Sequence, residues 1–208
     1  MKKYLLLVAA IAIFLPACCP MVSVHPLSEP DGLDDRLFGV WRPVSPEGER
    51  VYLHVGKESD TIMVALSVEH LDAGRLDTAR MPFFLTRAKK NDYWNIRYED
   101  VEDNLAKGYA GFFFMKYTFP DDDTLLVYQL DRKAVINAIK TGKLKGQITY
   151  KAQKTSPAAQ LKTLPAKKNV NCVTITEESM SLLKFIEAGD SHALFPEPMR
   201  FVRTQSQQ

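Results

Sequence analysis

Four histidines, His25, His54, His70 and His192, are the side chains here best able to trade a proton near neutral pH or to hold a metal. None stands in HExxH or at any other close ligand spacing. His54 and His70 fall on neighbouring predicted strands and can face each other there. Strand faces are routinely mixed, so two unrelated, half-exposed residues is the preferred reading. Acyl transfer needs a nucleophile, a base and an orienter, and the chain has no GxSxG elbow. It has neither GxGxxG nor GxxxxGK to cradle a phosphate. Asp121, Asp122 and Asp123 lack the spaced ligands and glycine of a calcium loop and read as a charged hairpin turn. The three cysteines, Cys18, Cys19 and Cys172, form no CxxC pair, which leaves zinc and redox roles without support. The expectation is no catalytic residue, no metal ligand, no cofactor and no enzyme.

The cysteines matter for another reason. Lys2 and Lys3 precede an apolar run from Tyr4 to Leu15, followed by Pro16, Ala17 and Cys18. This is the order of a secretory signal peptide, and the run is too short for a spanning helix, which needs about 20 apolar residues. With Leu15, Ala17 and Cys18 in place, the segment resembles a bacterial lipoprotein signal; Pro16 departs from the usual small or aliphatic residue. The resemblance implies cleavage after residue 17 and acylation of Cys18 by diacylglycerol and an amide-linked chain such as palmitate. Residue 19 is cysteine and not aspartate. In Gram-negative lipoproteins that implies the outer membrane, facing the periplasm. Two acyl chains suffice for stable anchoring.

Bulk properties fit one ordinary domain. The 208 residues carry 27 Lys and Arg against 25 Asp and Glu. Lys2 and Lys3 leave with the signal, so the mature chain is neutral and has no electrostatic footprint for nucleic acid. The expected organisation is a signal over 1–17, a flexible tether over 18–32, one domain over 33–203 and a disordered tail over 204–208. The tether reading rests on Pro20, Pro26, Pro30 and Gly32. Within the domain, 154–169 is Pro- and Ala-rich and reads as an exposed linker, with Lys162, Lys167 and Lys168 on a solvated face. An oxidising compartment permits a Cys19–Cys172 bond, but separate thiols are preferred.

Period-two patterning predicts strands over 39–42, 50–56, 61–71, 80–89, 93–99, 108–119, 124–130, 147–153, 170–175 and 199–202. Val51, Leu53 and Val55 share a face; Ile62, Val64, Leu66 and Val68 are in phase. Short turns between the strands favour antiparallel pairing. Asp131 caps a predicted helix over 132–141, and Thr176 caps a second that ends at Gly189. The fold class is α+β, mainly β: a curved antiparallel sheet or small β-barrel with two helices.

Gly39-Val40-Trp41 resembles the GxW motif that opens the first strand of lipocalins and related calycin barrels. The resemblance implies that Trp41 closes one barrel end and that an arginine near the C-terminus packs across it. Arg200 or Arg203 can fill that place, and Arg200 is taken with Gly39 and Trp41 as the structural set. The two helices depart from the calycin pattern. Trp94, Tyr98, Phe113, Tyr117 and Tyr128 are the candidate ligand-binding residues, because a small barrel with an aromatic interior can enclose one small apolar ligand. The leading expectation is therefore a lipid-anchored envelope protein that binds such a ligand. The alternative is an envelope scaffold that binds a protein or cell-wall partner and has no ligand cavity.

Overall fold

The computed structural model describes residues 21–44, 50–101, 110–150, 170–189 and 191–204. The signal over 1–17, Cys18, Cys19, the whole 154–169 linker and the tail after Thr204 lie outside them. The chain runs β1 (Met21–Ser23), β2 (Gly39–Pro43), β3 (Val51–Lys57), β4 (Met63–His70), β5 (Leu76–Arg87), β6 (Asp92–Arg97), β7 (Phe112–Asp121) and β8 (Thr124–Gln129). Helix α1 (Arg132–Lys140), β9 (Gly146–Tyr150), β10 (Val170–Ile175), α2 (Ser179–Ala188), α3 (Ser191–Leu194) and β11 (Pro198–Arg203) complete it.

Strands β2 to β8 form an antiparallel meander. β11 enters between β8 and β2, antiparallel to both, and closes eight strands into a barrel. The expected mainly-β fold therefore takes its barrel form. Alternation explains how the barrel fills. On β6, Trp94 and Ile96 join the interior while Tyr93 packs outside. On β7, Phe113, Met115 and Tyr117 point in, and Phe114 points out.

β4 departs from a simple apolar-in reading. Met63, Ala65 and Ser67 are the buried set, so the in-phase Val64, Leu66 and Val68 face outward. The pairing Val55↔Ala65↔Met81 fixes this phase, because Val55 and Met81 are core residues. A slip of one residue would turn every β4 side chain to the other face.

A second layer branches from β7. Beyond the end of β8, Phe112 of β7 pairs with Ser23 of β1. β10 then lies parallel to β1, and β9 antiparallel to β10. The helices pack with this extension on the outer face of the barrel: Leu27, Tyr93, Phe114, Val135, Val173 and Leu182 share one buried cluster. The predicted tether is corrected here. Ser23 and Leu27 are buried, and the Leu27 N–H donates to Asn95 Oδ1 at 2.8 Å, so residues 21–32 belong to the folded body.

Helix α1 starts as its sequence predicts, with the Ala134 N–H donating to Asp131 Oδ1 at 2.7 Å. α2 does not. It begins at Ser179, Glu178 occupies the capping position without a side-chain bond, and the Thr176 N–H instead extends the sheet by donating to the Lys145 carbonyl. α3 is a short addition to the two expected helices.

The branch needs a glycine. Gly111 has φ +109°, and a Cβ there would stand 2.5 Å from the Ser23 carbonyl oxygen. Gly111→Ala should destabilise the protein by about 1–3 kcal/mol, the usual range for backbone forced into a sparsely populated region. Urea unfolding measures it, and an unchanged midpoint would overturn this account of the branch.

Candidate functional site

The GxW strand is built as a lid. Trp41 is fully buried and its indole N–H donates to the Leu37 carbonyl at 2.8 Å. Arg203, not Arg200, packs across it, with its guanidinium carbon 4.2 Å from the ring centre. The same guanidinium donates to the carbonyls of Phe38 at 2.6 Å and Arg36 at 2.7 Å. Register explains the choice: Arg203 pairs with Trp41, whereas Arg200 is exposed on β11 opposite Leu126. Gly39 is explained too. Its φ is +130°, and a Cβ would stand 2.8 Å from Arg203 Nη1.

Behind the lid lies a charged cluster that sequence reasoning missed. Asp34 accepts from Arg36 Nε at 3.0 Å, from Arg36 Nη2 at 2.7 Å and from the Tyr117 hydroxyl at 3.1 Å. Burial by itself would raise the Asp34 carboxyl, but the Arg36 hydrogen bonds and charge outweigh it and hold it below its ordinary value. Burial, then repulsion from Asp34, pushes Asp92 up. Burial, then the nearby Asp34 charge, also raises Tyr117, which stays a neutral donor. The only sequence signal for this group was an acidic pair before an arginine, which reads equally well as solvated loop.

Four of the five candidate ligand residues, Trp94, Tyr98, Phe113 and Tyr117, do meet in the barrel. They meet each other. Trp94 stacks on Phe83 with centroids 4.7 Å apart and tilts against Tyr117 at 5.8 Å; Tyr98 lies 4.7 Å from Phe113. Tyr128 is elsewhere, on the outer cluster beneath Lys116, whose ammonium sits 4.3 Å from its ring centre. Tyr98 and Phe113 also line an apolar cleft of about 40 Å³ at the seam of β1, β7 and the end of β8, with Met21, Met115 and Leu130. A small-molecule site usually needs about 300–1,000 Å³. One polar atom stands out in the interior: the buried Trp94 Nε1 has no acceptor among the described residues.

The histidines do not converge. His54 is opposite Leu66, His70 is opposite Leu76 and edges against Tyr52 at 5.6 Å, and His25 lies 3.8 Å from Glu178. Asp121 and Thr124 pair across the expected hairpin turn. Cys172 is a half-buried free thiol, 4.0 Å from the Thr174 hydroxyl. Among the described residues no group of three or more His, Cys, Asp or Glu is placed to hold a metal.

The outer wall opposite the extension carries the outward face of β4. Leu66 is 37% exposed and sits between His54 on β3 and Arg80 on β5. Val64 lies beside Pro82, and Val68 beside Tyr52. β3 is four strands round the barrel from β7, so the extension does not cover this wall. Comparison with protein-family models, curated proteins and solved structures finds no match to the chain.

Two expectations test this geometry. Arg203→Lys should cost about 1–2 kcal/mol by losing two forked hydrogen bonds and a ring contact. Arg200→Lys should stay within about 0.5 kcal/mol, as exposed changes do. Equal effects in denaturant titration would reject the lid. Asp34→Asn should cost about 1–2 kcal/mol at neutral pH, somewhat offset by relief of Asp92. Because the folded Asp34 is held below its ordinary value, its stabilisation is complete above about pH 4 and fades as pH falls through that lower value. The gap between wild type and variant should therefore close in acid; a gap that widens there would contradict the assigned sign.

Proposed function

We infer that this chain is a non-catalytic, lipid-anchored interaction protein of the bacterial cell envelope, held at the periplasmic face of the outer membrane. Its barrel binds a partner protein through the outer wall over β3, β4 and β5. The observation that carries this reading is the orientation of β4. Its branched apolar residues, the exposed Leu66 between half-buried Val64 and Val68, face out on a wall away from the described extension, while smaller Ala65 and Ser67 face in. Apolar surface grouped on one wall is the usual mark of a contact site. Aromatic side chains packed on one another inside favour this reading over carriage of a ligand. The signal-like N-terminus with Cys18 supports the anchor. The resemblance to lipocalins and calycin barrels is supported by the eight-strand order and by Arg203 over Trp41.

A second reading keeps the interior as a small-ligand site. The unpaired Trp94 Nε1 favours it, because a buried donor without an acceptor costs about 1–3 kcal/mol and a ligand or water would satisfy it.

Photo-crosslinking in cells separates the two. A reproducible protein adduct is expected, lost in Leu66→Asp and kept in Met180→Asp, which alters an exposed residue on α2. Native mass spectrometry of the delipidated protein should give the apo mass. A co-purifying small molecule, with no adduct lost in Leu66→Asp, would overturn the interaction reading in favour of the second. Cys18→Ser should release the protein from the membrane fraction; retention of the cleaved variant would overturn the anchor.

A further inference from the structure

We propose that the free edge of β9, beside α1, takes an extended acidic segment of a partner protein as an added strand. This contact goes beyond the outer-wall reading and depends neither on that reading nor on the anchor.

The first argument is topology. Closure gives every barrel strand two neighbours, which removes the edges of a sheet. The extension brings one back. β1 lies between β7 and β10, β10 lies between β1 and β9, and β9 has no strand beyond it among the described residues. The ladder shows which groups are left over. The Thr176 N–H donates to the Lys145 carbonyl, so Lys145, Gln147 and Thr149 turn their main-chain groups to β10. Gly146 and Ile148 turn theirs away from it. Outward N–H and C=O groups at strand spacing match the backbone of another extended chain.

The edge is also unguarded. Charged side chains and proline are the usual protection of an open edge, and Gly146–Tyr150 holds neither. Gln147, Thr149 and Tyr150 are exposed. Helix α1 meets the strand at its start, where a Cβ on Gly146 would stand 2.6 Å from Ile139 Cδ1. Half-buried Ile139 is therefore an apolar neighbour for an incoming strand.

The second argument is charge. Residues 132–150 hold Arg132, Lys133, Lys140, Lys143 and Lys145 and no Asp or Glu. Lys133, Lys140 and Lys143 are exposed and make no ion pair among the described residues. The flanking carboxylates are committed. Asp131 caps α1, Glu177 holds Lys145 at 3.4 Å, and Glu178 lies 3.8 Å from His25. Carboxylates on the incoming segment would answer the lysines that remain.

The same charge disfavours the two other occupants. Two β9 edges paired about Ile148 across a two-fold axis would set Lys145 against Lys151, and like charges directly opposite are destabilising. The following segment, 151–169, has five lysines and no Asp or Glu, so it too would bring like charge to this edge.

The test pans random dodecapeptides displayed on phage against the purified protein and measures each enriched peptide, fluorescently labelled, by anisotropy. Enriched peptides should be net acidic, with β-branched or aromatic residues in alternation. Ile148→Pro removes an outward N–H and leaves the β10 ladder intact, because Ile148 and Val173 are a non-hydrogen-bonded pair. It should weaken binding about tenfold. Lys140→Glu combined with Lys143→Glu should weaken it several-fold, as should added salt with the wild type. Hydrogen exchange reads the contact without any variant: the wild-type Ile148 amide should gain protection when peptide binds. Leu66→Asp should bind the peptides as the wild type does. No enriched family, a family without acidic bias, or an Ile148 amide left unprotected by peptide would overturn the proposal and leave the outer wall untouched. Loss of binding in Leu66→Asp would overturn it in favour of the outer wall. A dimer in sedimentation with Ile148 already protected would overturn it in favour of a second copy.

Discussion

Over 113–117 strand β7 is buried on both faces, and the architecture follows from that. One side of it, Phe113, Met115 and Tyr117, fills the barrel. The other side, Phe114 with the half-buried Phe112 and the buried Lys116, is mostly apolar and lies on the outer surface of the barrel. A free barrel would leave those rings in water, at a cost of about 1.5–3 kcal/mol for each large side chain. The extension and its helices cover them. β7 also outruns β8, and the overhang at Phe112 gives β1 a place to pair. One strand thus joins two cores and explains why the barrel carries a second layer beside β7.

That asymmetry bears on function. The covered side of the barrel is committed to internal packing, and the side away from the described extension holds the outward apolar face of β4. The interior is committed as well. A ring that would contact a ligand here already contacts another ring, as Trp94 does with Phe83 and Tyr117. The lid is held in the same way: Arg203 donates to the carbonyls of Phe38, Arg36 and Asp122 and covers Trp41, while Arg36 holds Asp34 and lies 4.8 Å above Phe119. Opening that end would break charge-assisted bonds and expose tryptophan together. This packing is what favours the outer wall over the interior in the proposed function.

Much of this was legible in the sequence, for a physical reason. Strong alternation names both faces of a strand at once: over 93–99 and 108–119 it separates Trp94 and Ile96, and Phe113, Met115 and Tyr117, from their neighbours, and these line the barrel. The failures share a cause of their own: they concern which of two chemically equal choices the tertiary structure selects. Val64, Leu66 and Val68 are a better core face by composition than Met63, Ala65 and Ser67, and only pairing to Val55 and Met81 decides the matter. Arg200 and Arg203 are equally suited to cap a tryptophan, and the β11–β2 register picks the second. Strand β1 has three residues in a stretch punctuated by prolines, too short for periodicity to register. The Asp34 group draws on residues from 34 to 117, a separation no local pattern reports.

The shortness of β1 has a mechanical consequence. A three-residue strand contributes few hydrogen bonds, yet it lies between β7 and β10 and so joins the barrel to its second layer. If Cys18 carries the lipid, any pull on the anchor passes through Met21 into that junction. The load is taken by Ser23 against Phe112 and by the buried Leu27, whose N–H is held by Asn95 on β6. Asn95 is buried, and its Nδ2 donates to the Thr86 hydroxyl at 2.9 Å and to the Phe84 carbonyl at 3.5 Å. A lipid on Cys18, as proposed, would thus lie a few residues from a short polar chain that reaches the barrel wall at β5 and β6. A partner bound at the far wall would then be held at a fixed height above the membrane, a constraint that a long leash could not impose.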